Sequence, residues 1–151
     1  MDRRTEIRQL LKLSPQEVTE RAGNNLVVCE DLEELHRKAA NDIYSEISTN
    51  NDYDKPTRLI LPVGPTGQYP ILADMINRNK LSLQNCWFFF MDEYCDENRK
   101  AFTREHPLSF KREAEELFFT RLEDSCKPPV DQVIFPDENN INQLADKIEQ
   151  E

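Results

Sequence analysis

Glycine and long apolar runs are scarce in this chain, basic side chains are outnumbered by acidic ones, and its cysteines are not clustered. Three glycines in 151 residues form neither G-x-x-x-x-G-K-[ST] nor G-x-G-x-x-G, so nucleotide-binding readings lose their main support. Cysteines at 29, 86, 95 and 126 fit neither a C-x-x-C metal pattern nor a dense disulfide framework, and buried free thiols are their ordinary role. Nineteen Lys and Arg stand against 29 Asp and Glu, a net charge of −10. Duplex nucleic acid is therefore not an expected partner, because such binding scales with cations set against phosphates. No stretch approaches the ~20 apolar residues that cross a bilayer, and the opening MDRRTEIRQLLKL lacks the apolar segment of a secretory signal. The expectation is a soluble, cytoplasmic protein with no membrane partner. Apolar residues make up 38%, below the ~45–50% usual for globular domains even with glycine added, so the core reads as incomplete.

What is present reads as one α/β domain over 1–151, without repeats or an interior boundary. Ser14-Pro15-Gln16-Glu17 combines an N-cap serine, a proline at the first helical position and a capping-box glutamate, and Gly23 can end that helix. Leu26–Cys29 is a short apolar run expected as a strand. After it Asp31 can cap a helix with Leu32, Leu35, Ala39, Ala40, Ile43, Tyr44 and Ile47 on one stripe. Arg58–Val63 repeats the theme, turning through Gly64–Gly67 into a helix that buries Tyr69, Leu72, Ala73 and Ile76. Cys86–Met91 is apolar at six successive positions, which implies a central strand covered on both faces. Ser109 can cap a helix burying Phe110, Ala114, Leu117, Phe118 and Leu122. Val133–Phe135 suits a short strand or connector, and Asn140 opens a last amphipathic helix with Ile141, Leu144, Ala145 and Ile148. The fold class is α/β: three layers, with a mostly parallel, Rossmann-like sheet, incomplete at its C-terminus.

In such sheets ligands sit beyond the carboxyl ends of the strands, at a switch in strand order. Two loops follow from this. Val63-Gly64-Pro65-Thr66 precedes a helix N-terminus, where backbone N–H groups and the helix dipole favour an anion such as phosphate; a plain strand-to-helix turn is the alternative. Asp92-Glu93-Tyr94 follows the central strand, and a carboxylate emerging there is expected to be partly desolvated and a better proton acceptor. Asp92 is the candidate base, with a cap as its alternative. Glu93, Asp96 and Glu97 read as a solvated charge run, with no defined ligand set for a metal. His36 reads as a surface residue, and His106 as a loop-orienting or structural one.

Taken in order, LPVGPTGQYPIL, FFFMDEY and EHPLSF resemble the glucosamine-6-phosphate deaminases, also called isomerases, over about Leu26 to Glu151. That family shows L-P-T-G-[GS]-T-P, then N-M-D-E-Y, then H-P-x-S-[YF]. Met91-Asp92-Glu93-Tyr94 and His106-Pro107-Leu108-Ser109-Phe110 match closely. The resemblance implies that Asp92 takes the C2 proton of an opened amino-sugar phosphate, with Val63, Gly64, Pro65 and Thr66 binding the substrate. Isomerisation and hydrolytic loss of ammonia would then give fructose 6-phosphate, with no cofactor and no metal. It also implies a phosphorylated sugar as partner and a homo-oligomer.

The sequence departs from the family pattern at Val63, Pro65 and Gly67, which stand where Thr, Gly or Ser, and Pro are usual. Pro65 has no N–H to give a phosphate. A G-H-I-A-F-N-E-P-like segment, which supplies the family's ring-opening histidine, has no match in the 151 residues. The chain therefore reads as the amino-terminal part of a longer enzyme, weakly active or inactive alone. Two other readings stand beside it: a 6-phosphogluconolactonase, whose Asp-Glu pair usually precedes Arg where this chain has Tyr94, and a non-catalytic sugar-phosphate-binding module.

Overall fold

The computed structural model describes residues 2–150. It divides into two compact units, Met1–Asp31 and Leu32–Glu151.

In the first unit, α1 spans Arg3–Leu10 and is capped by Asp2, whose carboxylate accepts from the Arg4 N–H at 3.2 Å. With only Ile7 and Leu10 as apolar residues, α1 gives the sequence no periodic signal. Helix α2, Pro15–Ala22, has the expected capping box: the Glu17 N–H donates to Ser14 Oγ at 3.3 Å and the Ser14 N–H donates to the Glu17 carboxylate at 2.8 Å. Gly23 ends it at φ 51°, a conformation glycine adopts without penalty. Leu26–Cys29 is coil, not the expected strand. Among the described residues no strand pairs with it, and an isolated extended segment satisfies its backbone groups only through water. Val27 and Val28 are correspondingly exposed.

The second unit runs α3 (Leu32–Asp52), β1 (Thr57–Leu61), α4 (Gln68–Asn79), β2 (Cys86–Phe90), α5 (Phe110–Leu117), β3 (Val133–Ile134) and α6 (Leu144–Gln150). The strands form one parallel sheet in the order β1-β2-β3, with Thr57 opposite Cys86, Leu61 opposite Phe90, and Phe89 opposite Ile134. Parallel neighbours need a crossover, and α4 and α5 lie within the two connections. Because side chains alternate along a strand, Leu59, Leu61, Cys86, Phe88 and Phe90 share one face. Ala40 and Ile47 of α3, Tyr69, Leu72, Ala73 and Ile76 of α4, and Ala114 of α5 close over that face as a single core. Phe118 and Leu122, just past α5, complete it, with Phe118 packed 5.8 Å from both Tyr69 and Phe88.

The opposite face carries Ile60, Trp87 and Phe89. Trp87 and Phe89 stack at 6.3 Å, and Lys147 of α6 lies 5.4 Å from the Trp87 ring. Ile60 remains 56% exposed. The α/β class with helices on both faces is thus observed, the second face being thinly covered. Helix α6 begins at Leu144 and not at Asn140. The reason is that Asn140 is tied into a turn: its amide accepts from the Asp137 N–H at 2.9 Å and donates to the Phe135 carbonyl at 2.8 Å, while its own N–H donates to Asp137 Oδ1 at 2.9 Å. No switch in strand order occurs among the described strands.

Candidate active site

Both candidate loops leave the carboxyl edge of the sheet from neighbouring strands. The Met91 N–H donates to the Leu61 carbonyl at 3.0 Å, carrying the ladder one bond past β2. Val63 and Asp92 each stand two residues beyond the last paired residues, Leu61 and Phe90.

The first loop is braced from beneath. Val63 is buried, and the fully buried Tyr69 donates its hydroxyl to the Pro62 carbonyl. Burial pushes the Tyr69 phenol up to about 12, with the Gln68 side chain acting in the opposite sense. Gln68, 5% exposed, donates to the Pro65 carbonyl at 2.6 Å. Gly64 and Pro65 are exposed and are joined by a cis peptide bond. Among the described residues, the N–H groups of Gly64, Thr66, Gly67 and Gln68 donate to no protein acceptor, which leaves four donors in this turn for an anion.

The second loop separates two adjacent carboxylates by role. Asp92 is exposed, so the partial desolvation expected of it is absent: the apolar strand ends at Phe90, and Met91 is already 62% exposed. Glu93, expected in a solvated charge run, is instead the cap of α5. Its Oε1 accepts from the Tyr94 and Phe110 N–H groups at 2.9 Å each, and its Oε2 from the Lys111 N–H at 2.9 Å and Ser109 Oγ at 3.1 Å. A carboxylate there also opposes the positive end of the helix dipole. Ser109 itself accepts from the Arg112 N–H, as expected of an N-cap. Asp96 organises the following turn, where hydrogen bonds from the Lys100 and Asn98 backbone hold its carboxyl below the usual range despite its exposure.

His106 has a structural role: its ring stacks on Phe102 at 3.6 Å and Nδ1 accepts from the Leu108 N–H at 3.2 Å. His36 is half-buried rather than on the surface, and its ring packs against Gly67. Of the four thiols, Cys86 and Cys126 are buried, Cys29 is half-buried and Cys95 is exposed. No group of three or more His, Cys, Asp or Glu side chains is placed to hold a metal among the described residues.

A cavity of about 290 Å³ lies beside Asp92, lined among others by Met91, Cys95, Arg99, Pro136 and Ile141. A larger, open cleft of about 1020 Å³ reaches from Glu93 to Lys147. Neither is lined by Val63, Gly64, Pro65 or Thr66. The two loops are neighbours at the sheet edge, and neither of these two cavities is lined by both. The roles of Glu93 and His36 were not legible beforehand, because their partners lie 17 and 31 residues away.

A parallel sheet with crossover helices and two loops side by side at its carboxyl edge defines a Rossmann-like α/β domain. In fold it matches a solved monomeric glucosamine-6-phosphate deaminase, described as a missing link of the NagB superfamily, with a TM-score of 0.61 over 81% of this chain and 47% of that one at 24% identity. In sequence it is 31% identical over 101 residues to a glucosamine-6-phosphate deaminase of Phocaeicola vulgatus, covering 65% of this chain and 36% of the relative. No protein-family model matches the chain. The chain is thus similar in sequence, over part of its length, to a glucosamine-6-phosphate deaminase, and it spans about a third of the length of the curated relative it matches.

Proposed function

We propose that this chain carries the enolisation and phosphate-binding parts of a sugar-phosphate isomerase/deaminase, acting on glucosamine 6-phosphate or a related amino-sugar phosphate. The observation that carries the reading is the pairing of β1 with β2, from whose adjacent carboxyl ends, Leu61 and Phe90, the loops carrying Val63 and Asp92 depart. The turn at Val63, Gly64, Pro65 and Thr66 grips the phosphate through backbone donors at the start of α4. Asp92 removes the C2 proton of the open-chain sugar. The enolamine takes a proton at C1 to become the C2 imine, and water adds at C2 and expels ammonia to leave the ketone, fructose 6-phosphate. Positioned proton transfer contributes about 10²–10⁴ in rate, and an exposed carboxylate belongs at the lower end. No cofactor enters these steps. Because the family's ring-opening segment has no match in these 151 residues, turnover by this chain alone is expected to be weak or nil. The reading includes a cytoplasmic location. It also includes self-association, for which exposed Ile60 and Met91 offer apolar surface.

A second reading, a non-catalytic sugar-phosphate-binding module, is favoured by the exposure of Asp92. Titration with glucosamine 6-phosphate and with unphosphorylated glucosamine, alongside a coupled ammonia assay, decides between them. The deaminase reading expects phosphate-dependent binding with slow ammonia release. Because turnover by this chain alone can be nil under the deaminase reading too, binding with neither ammonia release nor exchange of the C2 hydrogen in D₂O supports the module. Hydrolysis of 6-phosphogluconolactone without ammonia supports the lactonase alternative, against which Tyr94 stands.

A further inference from the structure

Gly67 presents a question that its backbone does not answer. It sits at φ −62° and ψ −21°, ordinary right-handed geometry open to any residue, so glycine is not there for conformational freedom. Space is the constraint. A Cβ built on Gly67 would overlap the imidazole of His36, with Nδ1 and Cε1 inside contact distance and Cγ at 2.7 Å. His36 projects from the first third of α3, and its ring occupies that space with Nε2 buried and without a hydrogen-bond partner in the protein. Packing rather than hydrogen bonding at Nε2 therefore seats the ring against the α4 N-cap.

We propose that His36 and Gly67 form an interlock that sets the geometry of the turn before α4, making His36 a positioning residue for sugar-phosphate binding. The inference rests on the phosphate-binding role proposed above for that turn. Two of its four available donors, the N–H groups of Gly67 and Gln68, belong to the residue the ring touches and to the next one. The turn's other braces, the Tyr69 hydroxyl on Pro62 and the Gln68 amide on Pro65, act from within the turn and α4. His36 ties the turn to a separate helix, so moving the ring moves the donors relative to the rest of the fold.

The test is a double-mutant cycle with wild type, Gly67→Ala, His36→Ala and the double variant, reading the Kd for glucosamine 6-phosphate, with glucosamine as control, and the unfolding midpoint of each protein. Overpacking by one methyl should weaken phosphate-dependent binding about tenfold in Gly67→Ala. His36→Ala should weaken it severalfold, and the double variant should match His36→Ala, because the methyl then enters vacated space. Equal cost of Gly67→Ala with and without His36, or no cost in either background, overturns the interlock. Coupled midpoints with no phosphate-dependent binding in any of the four proteins sink the sugar-phosphate reading and reduce the pair to a packing contact, which overturns the positioning role. Coupled midpoints with unchanged Kd values overturn only the positioning role.

Discussion

Cys86 and Tyr69 are buried in the core, and both hold their protons more tightly than in water. Burial pushes the Cys86 thiol from an ordinary 9.0 up to about 12, against a smaller opposing effect of the Thr57 hydroxyl, and the Tyr69 phenol from 10.0 up to about 12. Between those ordinary values and about 12 the folded chain keeps protons that the unfolded chain has released, so the native state's advantage from these groups is complete below pH 9.0 and is lost as pH rises toward 12. Urea unfolding at about pH 8 and about pH 10.5 should show lower stability at the higher pH, and Cys86→Ala should flatten the decline. A decline as steep without the thiol would contradict this account of Cys86. Sequence could name the burial-prone residues here, but it could not rank neighbours. Asp92 and Glu93 are adjacent carboxylates with the same local signal, and only the three-dimensional path that brings Ser109 back to the segment after β2 separates an exposed acid from a capping one.

At the level of elements, much of what rests on local spacing was legible. The Ser14–Glu17 box is present in full, and Tyr69, Leu72, Ala73 and Ile76, read from their helical period, are all completely buried. Asn140 closes a turn with Asp137 and Phe135 where a helix start was expected, a local competition between side-chain hydrogen bonds and helix, whereas Leu26–Cys29 depends on pairing over distance: it has strand composition but no strand beside it among the described residues. The clamp of Glu93 on α5 belongs to the same long-range class. Removing it strands the Phe110 and Lys111 N–H groups, so Glu93→Ala should cost about 1–3 kcal/mol in urea unfolding. Asp92→Asn, at an exposed position, should stay within about 0.5 kcal/mol of wild type. Equal effects of the two substitutions would show that the capping role is misassigned.

Across the whole molecule, the composition already signalled a thin core. Helices α3, α4 and α5 complete one face of the sheet, while the other keeps Ile60 56% exposed beside Trp87 and Phe89. A low apolar fraction and one thinly covered sheet face are the same fact seen at two scales. The α/β class was legible because six consecutive apolar residues at Cys86–Met91 admit few other environments. The expected switch point was not found, since strand order depends on every strand in a sheet and the three described run in sequence order.

The central claim is that Asp92 moves the C2 proton of a phosphorylated amino sugar, and hydrogen exchange at that carbon reads it directly. Glucosamine 6-phosphate in D₂O contains a small spontaneous open-chain fraction, so the measurement by proton NMR does not wait on assisted ring opening. The account predicts loss of the C2 proton signal faster with wild-type protein than in a protein-free blank, and at the blank's rate with Asp92→Asn, with both proteins binding the sugar phosphate alike. Exchange by Asp92→Asn as fast as wild type, or by wild type no faster than the blank, would contradict it.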